Sequence, residues 1–224
     1  VQLFLAVGMY KLWGKKGLYV LIAASVIVCN IQVVKTVELF GLVATLGNVL
    51  YATTFFATDV LSEVYGKKAA TRGVWLGFAA LVLTVIWMQF GLKFIPDSSD
   101  FAQESLQTIF GIMPRIAVGS LIAYLLSQHH DVWAFHFWRN KTHGKYLWIR
   151  NNASTMVSQA IDSVVFCSIA FIGVFPWSIW LQILATTYFL KWIIAAIDTA
   201  FIYWARSFSH KVTAKEEKEA LIEG

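Results

Sequence analysis

Charged residues are scarce in this chain of 224 residues: Asp, Glu, Lys and Arg make up 14% of it, whereas hydrophobic residues make up 58%. A soluble protein of this length cannot cover its surface with so few charges. The apolar residues also occur in blocks of about 20, separated by short polar segments, which is typical of membrane-spanning helices. The composition therefore indicates an integral membrane protein without a soluble domain.

Motifs for catalysis, metals and cofactors are also lacking. The two cysteines, Cys29 and Cys167, lie within apolar stretches and have no metal or redox spacing. The chain contains no phosphate-binding glycine loop, no HExxH and no serine nucleophile elbow. We therefore expect no cofactor, no metal and no enzymatic activity. Four histidines of the polar segment 129–152 lack a recognised zinc spacing as well: His129, His130, His136 and His143.

Six apolar stretches are long enough to cross a bilayer, at about 1.5 Å per residue and a core of about 30 Å. They predict spans at 18–35, 39–60, 72–92, 106–127, 153–174 and 178–205. We expect one all-α membrane domain with a six-helix core at 18–206. An N-terminal apolar helix and basic linker at 1–17 and a charged tail at 207–224 flank it. Val1–Tyr10 is too short to cross alone and has no signal-peptide cleavage pattern, so it is an extra helix or the end of a seventh span.

The basic residues predict the orientation. Of the 18 Lys and Arg residues, fourteen lie in 11–17, 61–72, 129–152 and 206–224, whereas the alternate connections hold only Lys35 and Lys93. Because short basic loops stay in the cytoplasm, we expect the core to begin and end inside, with a cytoplasmic C-terminus. The net charge of +5 then reflects topology. It does not form a coherent patch, so no nucleic acid is predicted as a partner.

Polar side chains inside the predicted spans are the candidates for function, because an ionisable group is costly in hydrocarbon. Helix–helix hydrogen bonds or structural ion pairs are one interpretation, worth about 0.6–2 kcal/mol per contact. The number of charges favours the other interpretation, a site for a polar solute. The candidates are Asn30, Asn48, Asp59, Glu63, Arg115, Gln159, Asp162, Lys191 and Asp198.

Spacing places several of these groups on common helix faces. Gln159 and Asp162 are three residues apart, so they share a face. Asp162 lies about nine residues into its span, roughly 13 Å deep and close to the midplane. Asp59 and Glu63 are four apart, and two like charges at that spacing need a cation, a proton or a donor-rich ligand.

Four strings of the sequence resemble the queuosine precursor transporter family, also called the vitamin uptake transporter family. They are TDVLSEVYGKK, RIAVGSLIAYLLSQHHD, KYLWIRNNASTMVSQAIDSVVF and LKWIIAAIDT. The resemblance extends from about Asn30 to Tyr203 and implies uptake of a 7-deazaguanine, most typically 7-cyano-7-deazaguanine, across the bacterial inner membrane. It also implies a six-helix bundle similar to the substrate-binding subunits of energy-coupling-factor transporters. All the candidates above except Asn48 are carried over from the family pattern. Ala200 stands where many members have proline.

The candidate side chains suit such a ligand. Carboxylates can accept from the N1–H and the amine of a guanine edge, and Arg115 or Lys191 can donate to its O6. Stacking on the ring could come from Tyr51, Phe55 or Trp87.

The sequence leaves several alternatives open. A substrate-binding subunit of a multi-component transporter, an intramembrane enzyme and a structural membrane protein are the other classes. The oligomeric state, with a homo-oligomer as one option, and the driving ion are left open. A proton could be carried by Asp59, Glu63, Asp162 or Asp198.

Overall fold

The computed structural model describes residues 1–141 and 147–223, and most of them are helical. The elements follow in this order: α1 (Gln2–Gln32), β1 (Thr36–Leu39), β2 (Leu42–Thr45), α2 (Gly47–Tyr65), α3 (Lys67–Gly91), α4 (Gln103–Phe110), α5 (Met113–Lys141), α6 (Leu147–Phe171), α7 (Trp177–Ser207) and α8 (Ser209–Glu223). The fold is mostly α-helical, as predicted, with one small antiparallel hairpin added.

Three stretches of the described residues are long and apolar enough to cross a membrane: Gln2–Gln32, Lys67–Gly91 and Gln103–Ser127. A shorter apolar helix covers Met156–Phe171. These stretches agree with a multi-pass, mostly helical membrane protein, and the total of six spans remains a prediction.

The N-terminal segment and the first predicted span form one helix, α1, which bends at Gly14. This glycine has φ +54°, a left-handed conformation that favours glycine. Glu216 of α8 fills the bend: its carboxylate accepts from the backbone N–H of Lys15 at 2.5 Å and from the hydroxyl of Tyr65 at 2.7 Å. The predicted linker is therefore helical, and the predicted charged tail is a helix packed on the bundle.

The segment 39–60, predicted as a span, begins at the end of β1 and contains the hairpin turn and β2 before α2 starts. Its turn consists of Phe40 and the following glycine, with φ of 55° and 78°, as in a two-residue type I′ turn. The hairpin is tied to α7, because the Val43 N–H donates to Gln182 Oε1 at 3.0 Å and Thr186 Oγ1 donates to the Val43 carbonyl at 3.1 Å. An apolar run rich in β-branched residues suits a strand as well as a span, which explains the difference.

The polar segment predicted as a loop at 129–152 is helical where it is described. Helix α5 continues to Lys141, and α6 begins at Leu147. No proline or glycine occurs between Gly119 and Gly144 to end the helix. Three of the four histidines, His129, His130 and His136, are therefore on α5. His143 lies outside the described residues, and the same is true of the His136 side chain.

Two groups of buried side chains hold the ends of the bundle. One joins α1, α2, α3, α7 and α8 and includes Tyr10, Phe56 and Leu61. The other joins the end of α1 to α5, α6 and α7 and includes Phe171 and Trp180. Between these two cores the helices leave a cavity lined by polar side chains.

Candidate functional site

The cavity consists of two chambers. The larger one, called the vestibule, has a volume of about 380 Å³, and the smaller one, called the inner chamber, has about 50 Å³. Five residues line both chambers and form what we call the neck: Asn30, Tyr51, Ser120, Asp162 and Lys191. Each of them comes from a different helix, so a solute at the neck would contact α1, α2, α5, α6 and α7.

An ion pair lies at the neck. The Lys191 ammonium on α7 bonds to the Asp162 carboxylate on α6 and donates to Ser163 Oγ at 3.1 Å. The side chains of Lys191 and Asp162 are 10% and 27% exposed, so the pair is largely shielded yet reachable from the cavity. It presents a strong donor and a strong acceptor side by side, and the two charges balance each other.

Polar groups continue from the neck along the vestibule wall. Gln159 lies one turn from Asp162 on α6. Thr54 on α2 is 8% exposed, and its hydroxyl has no hydrogen-bond partner among the described residues. Two charged residues, Asp59 and Lys67, line the same wall. The vestibule therefore offers hydrogen bonds to a polar solute over much of its length.

The inner chamber is lined by buried residues and carries no charge beyond the neck. Cys29, Ala123 and Thr187 in its wall are 4%, 1% and 2% exposed. Its polar groups are the side chains of Asn48 and Thr187, and the Asn48 amide donates to Thr187 Oγ1 at 2.8 Å. This chamber suits a small, neutral group.

Residues 45–205 match the family described as "Putative vitamin uptake transporter". A "Probable queuosine precursor transporter" of Bacillus subtilis (strain 168) is 48% identical over 198 residues, which cover 88% of this chain and 86% of that protein. The chain belongs to the vitamin uptake transporter family. A "Queuosine precursor transporter" of Escherichia coli (strain K12) is 27% identical over 173 residues, 75% of each chain. No solved structure matches.

Membership in this family makes the protein a membrane transporter, as predicted, and its relatives are named as transporters, not as enzymes. In this member of the vitamin uptake transporter family, six of the predicted site residues lie together around the cavity. They are Asn30, Asn48, Asp59, Gln159, Asp162 and Lys191.

Two other candidates have partners away from the cavity. The guanidinium of Arg115 donates to the carbonyls of Ile169 and Ile172, where α6 ends and leaves backbone acceptors free. Glu63 pairs with Arg206 at 3.0 Å, and both side chains are about half exposed or more. Such surface pairs contribute at most about 1 kcal/mol. The side chain of Asp198 lies outside the described residues.

The aromatic candidates differ in position. Tyr51 lines the neck and Phe55 lines the vestibule, and their rings meet edge to face at 4.9 Å. Trp87 is 67% exposed and is not among the lining residues. Tyr51 and Phe55 are therefore the better placed of the three to contact a planar solute.

Several hydroxyl groups in the cavity were not predicted from the sequence. Ser120 lies at the neck, Tyr124 and Ser158 line the vestibule, and Thr187 lines the inner chamber. Serine and threonine in a span commonly bond to the backbone of their own helix, so their type alone carries no functional signal. Only their position in the cavity identifies them.

Proposed function

We propose that this protein imports a queuosine precursor, a 7-deazaguanine and most typically 7-cyano-7-deazaguanine, across the bacterial inner membrane. The names of the relatives support the class of substrate. The observation that carries the proposal is the Asp162–Lys191 pair at the neck, with the Gln159 amide one turn away. A guanine edge is complementary to this row of groups.

The match follows from hydrogen-bonding chemistry. A guanine edge presents in sequence an acceptor, O6, and two donors, N1–H and the exocyclic amine. Lys191 donates to O6, and Asp162 accepts from N1–H. The Gln159 amide oxygen can accept from the amine. Because the ion pair is neutral as a whole, neither the empty nor the loaded neck holds an uncompensated charge.

The route through the protein follows from the ends of the cavity. The vestibule extends to Ser62, Lys67 and Thr71 at the junction of α2 and α3, which belongs to a basic segment. At the opposite end, β2 packs on α7 next to the inner chamber. The excess of basic residues favours a cytoplasmic position for the vestibule, so we propose that this conformation faces inward and is closed on the outer side.

Cysteine labelling tests this orientation. Position 99 lies in an exposed connection after α3, and position 210 is an exposed residue of α8, so we expect them on opposite sides of the membrane. The native cysteines, Cys29 and Cys167, are buried and give little background. In intact cells, an impermeant maleimide should label a cysteine at 99, whereas a cysteine at 210 should react only after the membrane is opened. The reverse pattern would invert the proposed direction.

Uptake tests the function itself. Cells that lack both precursor synthesis and their own transporter make tRNA without queuosine. Expression of this chain, with 7-cyano-7-deazaguanine in the medium, should restore queuosine in tRNA in a host without an energy-coupling ATPase module. No restoration in any host, with the protein present in the membrane, would refute the function. Restoration that needs the ATPase module would instead identify a substrate-binding subunit.

A further inference from the structure

We propose that the inner chamber binds the group at position 7 of the deazaguanine and admits only a substituent of a few heavy atoms. The proposal rests on the proposed function and deepens it, because it states which 7-deazaguanines the site takes. It assigns a role to a chamber that the recognition of the guanine edge does not use.

The positions of the chamber residues on their helices give the orientation. On α7, Thr187 is one turn from Lys191, and it lies in the inner chamber. On α6, Phe166 is one turn from Asp162, and it lines the same chamber. Both helices therefore lead from the neck into the chamber within one turn, about 5.4 Å.

The chemistry of the base points in the same direction. O6 and position 7 lie next to each other on one edge of the bicyclic ring. When O6 accepts from Lys191 at the neck, a group at position 7 extends past the neck. The base itself remains in the vestibule, whose volume of about 380 Å³ accommodates it.

The size of the chamber sets the limit. Its volume is about 50 Å³, compared with roughly 10–15 Å³ for a single water. The wall cannot easily retreat, since a Cβ added to Gly47 would lie 2.3 Å from the Cys29 carbonyl oxygen. A two-atom group such as a nitrile fits, and a ring does not.

A donor is in place for such a group. The Asn48 amide nitrogen carries two hydrogens and donates one of them to Thr187 Oγ1. Among the described residues, it has no second acceptor. The remaining hydrogen can meet the nitrogen of a nitrile, which accepts and cannot donate.

A series of bases with the wild-type protein tests the proposal directly. Competition binding with purified protein would compare 7-deazaguanine that is unsubstituted, 7-cyano-substituted or 7-phenyl-substituted. The cyano compound should bind about tenfold more tightly than the unsubstituted base, because it fills the chamber. The phenyl compound should bind at least about tenfold more weakly than the unsubstituted base, because it overfills the chamber.

Two matched substitutions locate the effect. Ala123 lines only the inner chamber, and Ala70 lines only the vestibule. Ala123→Val should lower the affinity for the cyano compound about tenfold and change the affinity for the unsubstituted base by less than about twofold. Ala70→Val should change the ratio of the two affinities by less than about twofold. If Ala123→Val does not fold, Thr187→Ser serves instead, because it enlarges the chamber by one methyl group. This variant should raise the affinity for a 7-propynyl compound relative to that for the cyano compound, compared with the wild-type protein.

The outcomes separate this proposal from the proposed function. Equal affinities for the three bases, or an Ala123→Val effect that is the same with and without the cyano group, would overturn the subsite and leave the function standing. If folded protein binds none of the 7-deazaguanines, both proposals fail.

Discussion

Purified protein should bind 7-cyano-7-deazaguanine at least a hundredfold more tightly than 7-cyano-7-deazaadenine. The adenine-type base has a lone pair at N1 facing the Asp162 carboxylate and an amine facing the Lys191 ammonium. Each mismatch leaves a buried group unsatisfied, at about 1–3 kcal/mol, and a hundredfold corresponds to about 2.7 kcal/mol. Calorimetry or competition binding with both bases measures the ratio.

The pair of ligands is matched, because both carry the same group at position 7. A third base, 7-cyano-7-deazahypoxanthine, keeps O6 and N1–H and lacks only the amine. Its affinity should be about tenfold lower than that of 7-cyano-7-deazaguanine, the usual magnitude for the loss of one hydrogen bond to a charged or amide partner. Equal affinity for the guanine-type and adenine-type bases would show that the neck does not recognise the edge that carries O6 and N1–H.

The membrane character and the helical class could be predicted from the sequence because they depend on averages. A chain with scarce charge and apolar blocks of span length cannot cover itself in water, whatever the order of residues within each block. The position of Asp162 and Gln159 on one cavity-facing side of α6 was also predictable, because the helix period fixes it.

Other features depend on neighbours that the sequence does not reveal. Arg115 was predicted in the site because a cation inside a span needs a partner, and the partner proved to be the free carbonyls at the end of α6. The turn and the second strand of the hairpin were predicted as part of a span, since an apolar run suits a strand as well as a membrane helix. The position of the hairpin against α7 depends on Gln182 and Thr186, which are distant in the sequence.

The inner chamber illustrates the same limit. Its walls are residues such as Ala123 and Gly47, whose types are ordinary in any membrane helix. What makes them a chamber is the space left where α1, α2, α5, α6 and α7 meet, and volume is not encoded by any local pattern. Asn48 was predicted as a site residue, but its partner Thr187 was not.

Replacing Asp162 by asparagine should reduce uptake at least tenfold, about 1.4 kcal/mol or more. The substitution keeps the shape of the side chain and removes the charge that accepts from N1–H and balances Lys191. Uptake is measured in cells without precursor synthesis and normalised to the amount of protein in the membrane. The control is Glu63→Gln, which also removes a carboxylate from an ion pair, but from an exposed one, and should change uptake less than about twofold.

A double substitution distinguishes recognition from packing. Asp162→Asn alone leaves Lys191 without its counter-charge in a shielded neck, which should destabilise the fold by on the order of 1–3 kcal/mol. Adding Lys191→Gln removes that unpaired charge, so the thermal unfolding midpoint in detergent should return toward the wild-type value. Uptake should stay low, because the neck then lacks both its strong donor and its strong acceptor. If uptake recovers together with stability, the ion pair only holds α6 against α7, and the base is recognised elsewhere in the cavity.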